Sequence, residues 1–264
     1  MASAGPDTVD YGGDTASVQV TGRNGEAIVL DAGSGVRLLG NELVDRTRID
    51  ILLTHLHMDH IQGLGFFPPI FNPEVETHIW GPASTTMDLI EHLGRYLSPP
   101  LFPVRLRDLP NTEIHDVVPG TFEIGNVSVT ADLICHPGIT VGYRLSDSGA
   151  TLAYLPDHEP ALGVKNFPDS AEWTSGFDLM DGVDVLIHDA QYTTEEYAMR
   201  VGWGHSTFEH TMTLAAMAGV GRLVTFHHDP AHSDEMLAEI HSALQNRDTP
   251  FELIPGRTGY VLEL

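Results

Sequence analysis

The segment Thr54-His55-Leu56-His57-Met58-Asp59-His60 sets three imidazoles and a carboxylate directly behind the apolar run Ile49 to Leu53. Such a run reads as a buried strand, and a buried strand that delivers four polar donors at its end constrains the fold more than any other stretch of the chain. In strand register His55 and His57, two residues apart, project to one side, while Asp59 and His60 turn back from the loop that follows. Protonated, the imidazoles would repel one another; buried and neutral, they would be hard to satisfy. A cation resolves both problems, and the donor set suits two adjacent metal ions.

This cluster resembles the signature of the metallo-β-lactamase superfamily, and partners for such a site follow along the chain. Ile28 to Gly35 reads as a strand ending in an acidic turn, where Asp31 looks like that family's first acidic position, although an ordinary aspartate in a glycine turn reads equally well locally. Val127 to Cys135 alternates like a strand and runs into His136-Pro137-Gly138, Thr151 to Leu155 runs into Pro156-Asp157-His158, and Leu223 to Phe226 runs into His227-His228-Asp229-Pro230. The resemblance implies that one metal is held by His55, His57 and His136 and a second by Asp59, His60 and His227, with Asp157 bridging them. His228 is the alternative last ligand.

Two more residues look chemical rather than ligating. Val183 to Ala190 is strand-like with Asp189 near its end, and Gly202-Trp203-Gly204-His205-Ser206-Thr207 opens a helix running to about Ala218, capped by Ser206 or Thr207. This pairing resembles the phosphodiesterase branch of the superfamily, tRNase Z and the cyclic phosphate phosphodiesterases, in which an acid orients a histidine outside the metal shell. By resemblance the catalytic pair is Asp189 and His205, with a shorter carboxylate than the glutamate of tRNase Z. Asp59, besides ligating, would accept the proton of the attacking water.

The fold the resemblance implies is α/β, an αββα metallo-β-lactamase sandwich of two mixed β-sheets with helices on the outer faces. With 42% hydrophobic residues and no linker or repeat, residues 1–264 read as a single hydrolase domain. Helices are expected near Thr85 to Arg95, Thr207 to Ala218 and Ser233 to Leu244. The net charge of −24, with Lys165 as the only lysine, opposes a partner that is a polymeric nucleic acid. Only 21 positions separate His136 from Asp157, too few for the substrate-gripping arm that tRNase Z enzymes commonly carry there. Some cyclic phosphate phosphodiesterases, those of phosphonate metabolism, hold an extra cysteine-bound zinc, and with Cys135 as the only cysteine that structural site is not expected here.

One cysteine excludes an internal disulfide framework and suits a reducing compartment. With neither a signal-like N-terminus nor an apolar span, the sequence reads as cytoplasmic, with no membrane partner. Zinc suits the imidazole and carboxylate ligands, and manganese and iron are compatible. The apolar segments Leu64 to Phe71 and Leu97 to Pro103 would either wall a pocket against a flat base or bury themselves in the core or a homodimer contact. Arg144 reads as a phosphate contact or as a strand-surface residue. The expected activity is that of a metal-dependent phosphodiesterase acting on a small, cyclic phosphodiester such as a cyclic nucleotide or cyclic ribose phosphate. The alternatives are a lactone or ester hydrolase, a tRNA 3′-processing-like nuclease, a di-iron redox protein, which usually needs a flavin partner domain that this chain lacks, and a non-catalytic metal or nucleotide sensor.

Overall fold

Short apolar strands and short amphipathic helices alternate through a computed structural model that describes residues 1–164, 167 and 170–264, with Lys165 outside the described residues. The chain divides into two compact units, one comprising Thr15–Ser128 with Met1, the other Ala2–Asp14 with Val129–Leu264. Each carries one mixed β-sheet and its own helices, the two-sheet α/β composition of the metallo-β-lactamase fold.

In the first unit β1 (Val18–Thr21), β2 (Ala27–Leu30), β3 (Arg48–Leu52), β4 (Glu76–Pro82) and β5 (Thr112–Val117) lie in that spatial order. β1 is antiparallel to β2, and β2 to β5 are parallel. Inner parallel strands are covered on both faces, which is why β2 is apolar at all four positions. Val29, Ile49, Ile51, Leu53, Leu64, Phe67, Ile79 and Leu93 form much of the core. Helices α1 (Val36–Glu42), α2 (Met58–Ile61) and α3 (Leu89–Tyr96) and the strand β6 (Gly120–Ile124) complete the unit. The helix expected from Thr85 starts at Leu89. Thr86 N–H donates to Ser84 Oγ at 3.2 Å, a side-chain bond that competes with helical backbone pairing.

The apolar segments Leu64 to Phe71 and Leu97 to Pro103 behave chiefly as core. Leu64–Phe66 and Pro68–Phe71 are single 3-10 turns that bury Leu64, Phe67 and Ile70, while Phe66 and Phe71 stay exposed. Leu97 and Phe102 are likewise buried, and Leu101 is not.

In the second unit β7 (Val127–Leu133, of which Val129 onward lies here), β8 (Val141–Asp147), β9 (Ala150–Leu155), β10 (Val185–Asp189), β11 (Arg222–Phe226) and β12 (Glu252–Pro255) form a sheet in the order β12-β11-β10-β9-β8-β7. β8 and β9 are an antiparallel hairpin, and β9 to β12 are parallel. α4 (Phe177–Met180), α5 (Thr194–Tyr197), α6 (Phe208–Met217) and α7 (Asp234–Gln245) belong to this unit, whose core includes Leu155, Leu186, Phe208, Leu214, Leu223 and Leu237. Thr207, not Ser206, caps α6: its Oγ1 accepts from His210 N–H at 3.0 Å, and Ser233 Oγ accepts from Met236 N–H at 3.2 Å at the start of α7. Each cap contributes about 1 kcal/mol. No helix among the described residues is long and apolar enough to cross a membrane.

Candidate metal centre

In the first unit the polar residues leave the carboxyl ends of two adjacent parallel strands. Leu30 pairs with Leu52, so Asp31 and the segment from Thr54 emerge side by side. Asp31 is fully buried in a left-handed conformation, φ 57°. Its Oδ1 accepts from Thr54 N–H at 2.8 Å and its Oδ2 lies 2.8 Å from His60 Nδ1. Thr54 Oγ1, 2.9 Å from Asp31 Oδ2, also meets His55 Nδ1 at 3.1 Å. With the hydroxyl donating to the carboxylate and accepting from His55, the Nδ1 atoms of both histidines carry protons, so Nε2 is the atom each leaves available to a cation. The rings gather closely, His55 to His57 at 4.4 Å and His55 to His60 at 4.2 Å between centroids. Asp59 Oδ2 lies 3.9 Å from His60 Nε2. Gly63 permits the loop to return: its N–H bonds Ala32 O at 2.9 Å, and a Cβ there would strike Gly33 O.

In the second unit three adjacent parallel strands, β9, β10 and β11, end together and release Asp157, Asp189 and His227. The carboxyl ends of parallel strands are where open α/β sheets place ligands. His227 is left-handed, φ 55°, a conformation that costs about 1–3 kcal/mol in a non-glycine residue and persists only where its surroundings hold it. Its Nδ1 donates to Gln191 Oε1 at 3.1 Å, and its Nε2 stands 3.4 Å from Asp157 Oδ1. His136 repeats the arrangement, with Nδ1 donating to Gly204 O at 2.8 Å and Nε2 3.7 Å from Asp157 Oδ2. Two imidazole lone pairs thus face one buried carboxylate. Acceptors aimed at an acceptor repel, and a divalent cation reconciles them; the donor chemistry therefore fits a metal.

Asp189 is fully buried, and it accepts from backbone N–H groups of His158, Gln191 and Ser206 at 3.1, 3.0 and 3.2 Å. Its Oδ2 lies 2.7 Å from His205 Nδ1, so the shorter carboxylate reaches the imidazole directly. Four bonds compensate the carboxylate for lost hydration. The His205 ring stacks on His227 at 5.2 Å and meets His136 edge-on at 5.2 Å. Ligating atoms of Asp157, His205 and His227 lie within 4.8 Å of one another.

The loop that delivers His205 is held by Glu159, which composition and spacing did not single out. Buried Glu159 accepts from Gly202 N–H at 2.7 Å, Gly204 N–H at 2.6 Å and Tyr197 Oη at 2.8 Å. Burial, then Glu159, pushes the Tyr197 hydroxyl upward, so it stays a donor. Gly204, φ 92°, admits no side chain, since a Cβ would strike His136 Nδ1 and Pro137. Gly204→Ala should therefore lower metal affinity about 10- to 100-fold by displacing His136. Gly202→Ala, φ 87° with no neighbour within 4 Å of its Cβ, should carry backbone strain alone. Metal counting after dialysis against chelator compares the two, and equal retention would show that Gly204 does not position His136.

His228 turns elsewhere. Its ring packs against Tyr11, Phe208 and His241, and burial pushes its pKa down to about 3, which leaves it neutral. The adjacent pair chosen by sequence thus divides, with His227 facing Asp157 and His228 in the core. Behind β9 and β10, His158 Nδ1 meets His188 Nε2 at 2.9 Å, and burial lowers both pKa values. The Arg144 guanidinium donates from Nη1 to Asp181 O at 2.8 Å, at the end of α4.

Residues 26–228 match the family described as "Beta-lactamase superfamily domain". Among curated proteins the chain is 27% identical over 228 residues to ribonuclease Z of Mycobacterium sp. (strain KMS), covering 78% of this chain and 75% of that one. Among solved structures it resembles the short form of human tRNase Z, with a TM-score of 0.67 and 18% identity over 99% of this chain and 96% of that chain. It also resembles a diphosphatase of the PhnP family, with a TM-score of 0.65 and 19% identity over 95% and 84% of the two chains. At these identities the structural likenesses speak for the fold.

Proposed function

Since the chain belongs to the β-lactamase superfamily and has the fold of its metal-dependent hydrolases, we propose that it is a phosphodiesterase acting on a small, cyclic phosphodiester. The observation that carries this reading is the Asp189–His205 pair, bonded at 2.7 Å with the imidazole beside Asp157, His136 and His227. A phosphodiester is attacked without a tetrahedral acyl intermediate to drive out its alkoxide, so its cleavage leans most on a positioned proton donor, the role this pair suits.

In this proposal, residues 1–264 work as one domain, and the ligand set follows the family resemblance. His55, His57 and His136 hold one divalent ion, Asp59, His60 and His227 hold the other, and Asp157 is shared. Zinc is the ion the donors suit best. When bound, such a pair supplies positive charge for the phosphoryl oxygens and an acidified water. Asp59 takes the proton of the attacking water. Asp189, accepting from His205 Nδ1–H, fixes the tautomer and favours the imidazolium, so that Nε2–H donates to the departing oxygen.

The relatives named ribonuclease Z favour a second reading, in which the substrate is an RNA precursor. Two features weigh against it. The net charge is −24, and the interval from His136 to Asp157 is filled by the plain β8–β9 hairpin with its turn at Ser148 and Gly149. A cytoplasmic, small-molecule enzyme fits both. Zinc-loaded protein should hydrolyse bis(p-nitrophenyl) phosphate and cyclic nucleotides, lose the activity on chelation and regain it on metal return. Hydrolysis confined to lactones would replace the phosphodiester reading with that of an ester hydrolase.

A further inference from the structure

β4 and β5 pair in parallel with His78 opposite Glu113 and Trp80 opposite His115. This register gathers three donors in the first unit, none of them in the ligand set above. His78 Nδ1 lies 2.8 Å from His115 Nε2 and 3.7 Å from Glu113 Oε2, and His115 Nε2 lies 3.8 Å from the same carboxylate oxygen. Zinc with bonds of about 2.0–2.1 Å in a tetrahedral site holds its ligand atoms about 3.3–3.4 Å apart, and these three separations bracket that value.

The surroundings also prepare the donors. His78 Nε2 lies 2.7 Å from Glu76 Oε1, and a proton shared there leaves Nδ1 as a lone pair aimed at His115 Nε2. This carboxylate–histidine arrangement is the one that orients metal-ligating imidazoles. Burial, reinforced by neighbouring His78, lowers the His115 pKa, which favours its neutral, coordinating form. Trp80 stacks on His115 at 4.0 Å and on Phe122 at 4.8 Å, and its Nε1–H donates to Asp50 Oδ1 at 3.0 Å. The ring of His115 is thereby fixed. His78 is 5% exposed, while Glu113 keeps 65% side-chain exposure and leaves a solvent approach.

We propose that His78, Glu113 and His115 form an additional site for one divalent transition-metal ion of the zinc or nickel class, which staples β4 to β5. The carboxylate closes the set and leaves the fourth position to water.

The test is equilibrium dialysis of the full chain against zinc, followed by metal counting, on wild type, His78→Gln/His115→Gln and Glu113→Gln. The wild type should hold one equivalent more than the double variant, and Glu113→Gln, an exposed change that spares the fold, should weaken that equivalent at least about tenfold, the smallest usual effect of losing even an outer-shell partner of a ligand. A second readout uses the background Trp173→Phe/Trp203→Phe, both exposed residues, in which Trp80 is the remaining tryptophan and nickel should quench its fluorescence unless His115 is replaced. Equal metal counts in all three proteins, with Trp80 unquenched, would overturn the proposal. Phosphodiester turnover should be the same in wild type and in the His78, His115 and Glu113 variants, so the fate of this site is read independently of the catalytic proposal.

Discussion

Replacing His205 by Ala should lower kcat on a cyclic nucleotide by about a hundred- to ten-thousand-fold, the range that a positioned general acid contributes, or about 3–5 kcal/mol of barrier. The loss should depend on the leaving group. A ribose oxygen departs as a strongly basic alkoxide and needs the proton, whereas p-nitrophenolate departs without one, so bis(p-nitrophenyl) phosphate should lose far less. Metal content should not change, because in this proposal His205 Nε2 serves the departing oxygen and His205 is not one of the ligands, its Nδ1 being held by Asp189. Asp189→Asn should reproduce the leaving-group dependence, since an amide in place of the carboxylate no longer favours the imidazolium. It should also destabilise the protein, because Asp189 accepts three buried backbone N–H groups. Equal losses on both substrates would assign His205 to structure instead of proton transfer.

Asp31→Asn should cut metal affinity about 10- to 100-fold and lower stability by about 1–3 kcal/mol. Both carboxylate oxygens are committed, Oδ1 to Thr54 N–H and Oδ2 to His60 Nδ1, with Thr54 Oγ1 touching both. An amide has one acceptor oxygen, so its NH2 group must face either the Thr54 N–H or the His60 N–H. Asparagine tolerates the left-handed φ of 57°, so backbone strain does not confound the change. For a chain of this size the melting temperature should fall on the order of 5 °C. Thermal unfolding with and without zinc separates the two effects: a variant whose zinc-dependent stabilisation equals that of wild type would remove Asp31 from metal binding.

The strands were legible because their burial is two-sided, and five apolar runs identified by pattern correspond to β2, β3, β9, β10 and β11 within a residue or two at most ends. Their C-terminal polar residues were legible for the same reason, since a polar cluster at the end of a buried strand has few structural uses. Choosing between His227 and His228 was not possible from sequence. That choice depends on a positive φ at His227 and on a pocket made by Tyr11, Phe208 and His241, residues separated by as many as 230 positions. Glu159 was also hidden, because its partners, the N–H groups of Gly202 and Gly204, carry no side-chain signature. The bond from Arg144 Nη1 to Asp181 O was hidden for a related reason, as a backbone carbonyl leaves no trace in composition. The His78, Glu113 and His115 group appears only once β4 and β5 are set in register.

The most direct test of the central claim is the ratio of kcat/KM for a cyclic nucleotide to that for a 3′-extended RNA precursor, measured side by side with the zinc-loaded protein. The expected ratio is above one and persists at low salt, where a basic enzyme would gain most on RNA and a chain of net charge −24 would not. Faster cleavage of the RNA, with the cyclic nucleotide untouched, would contradict it.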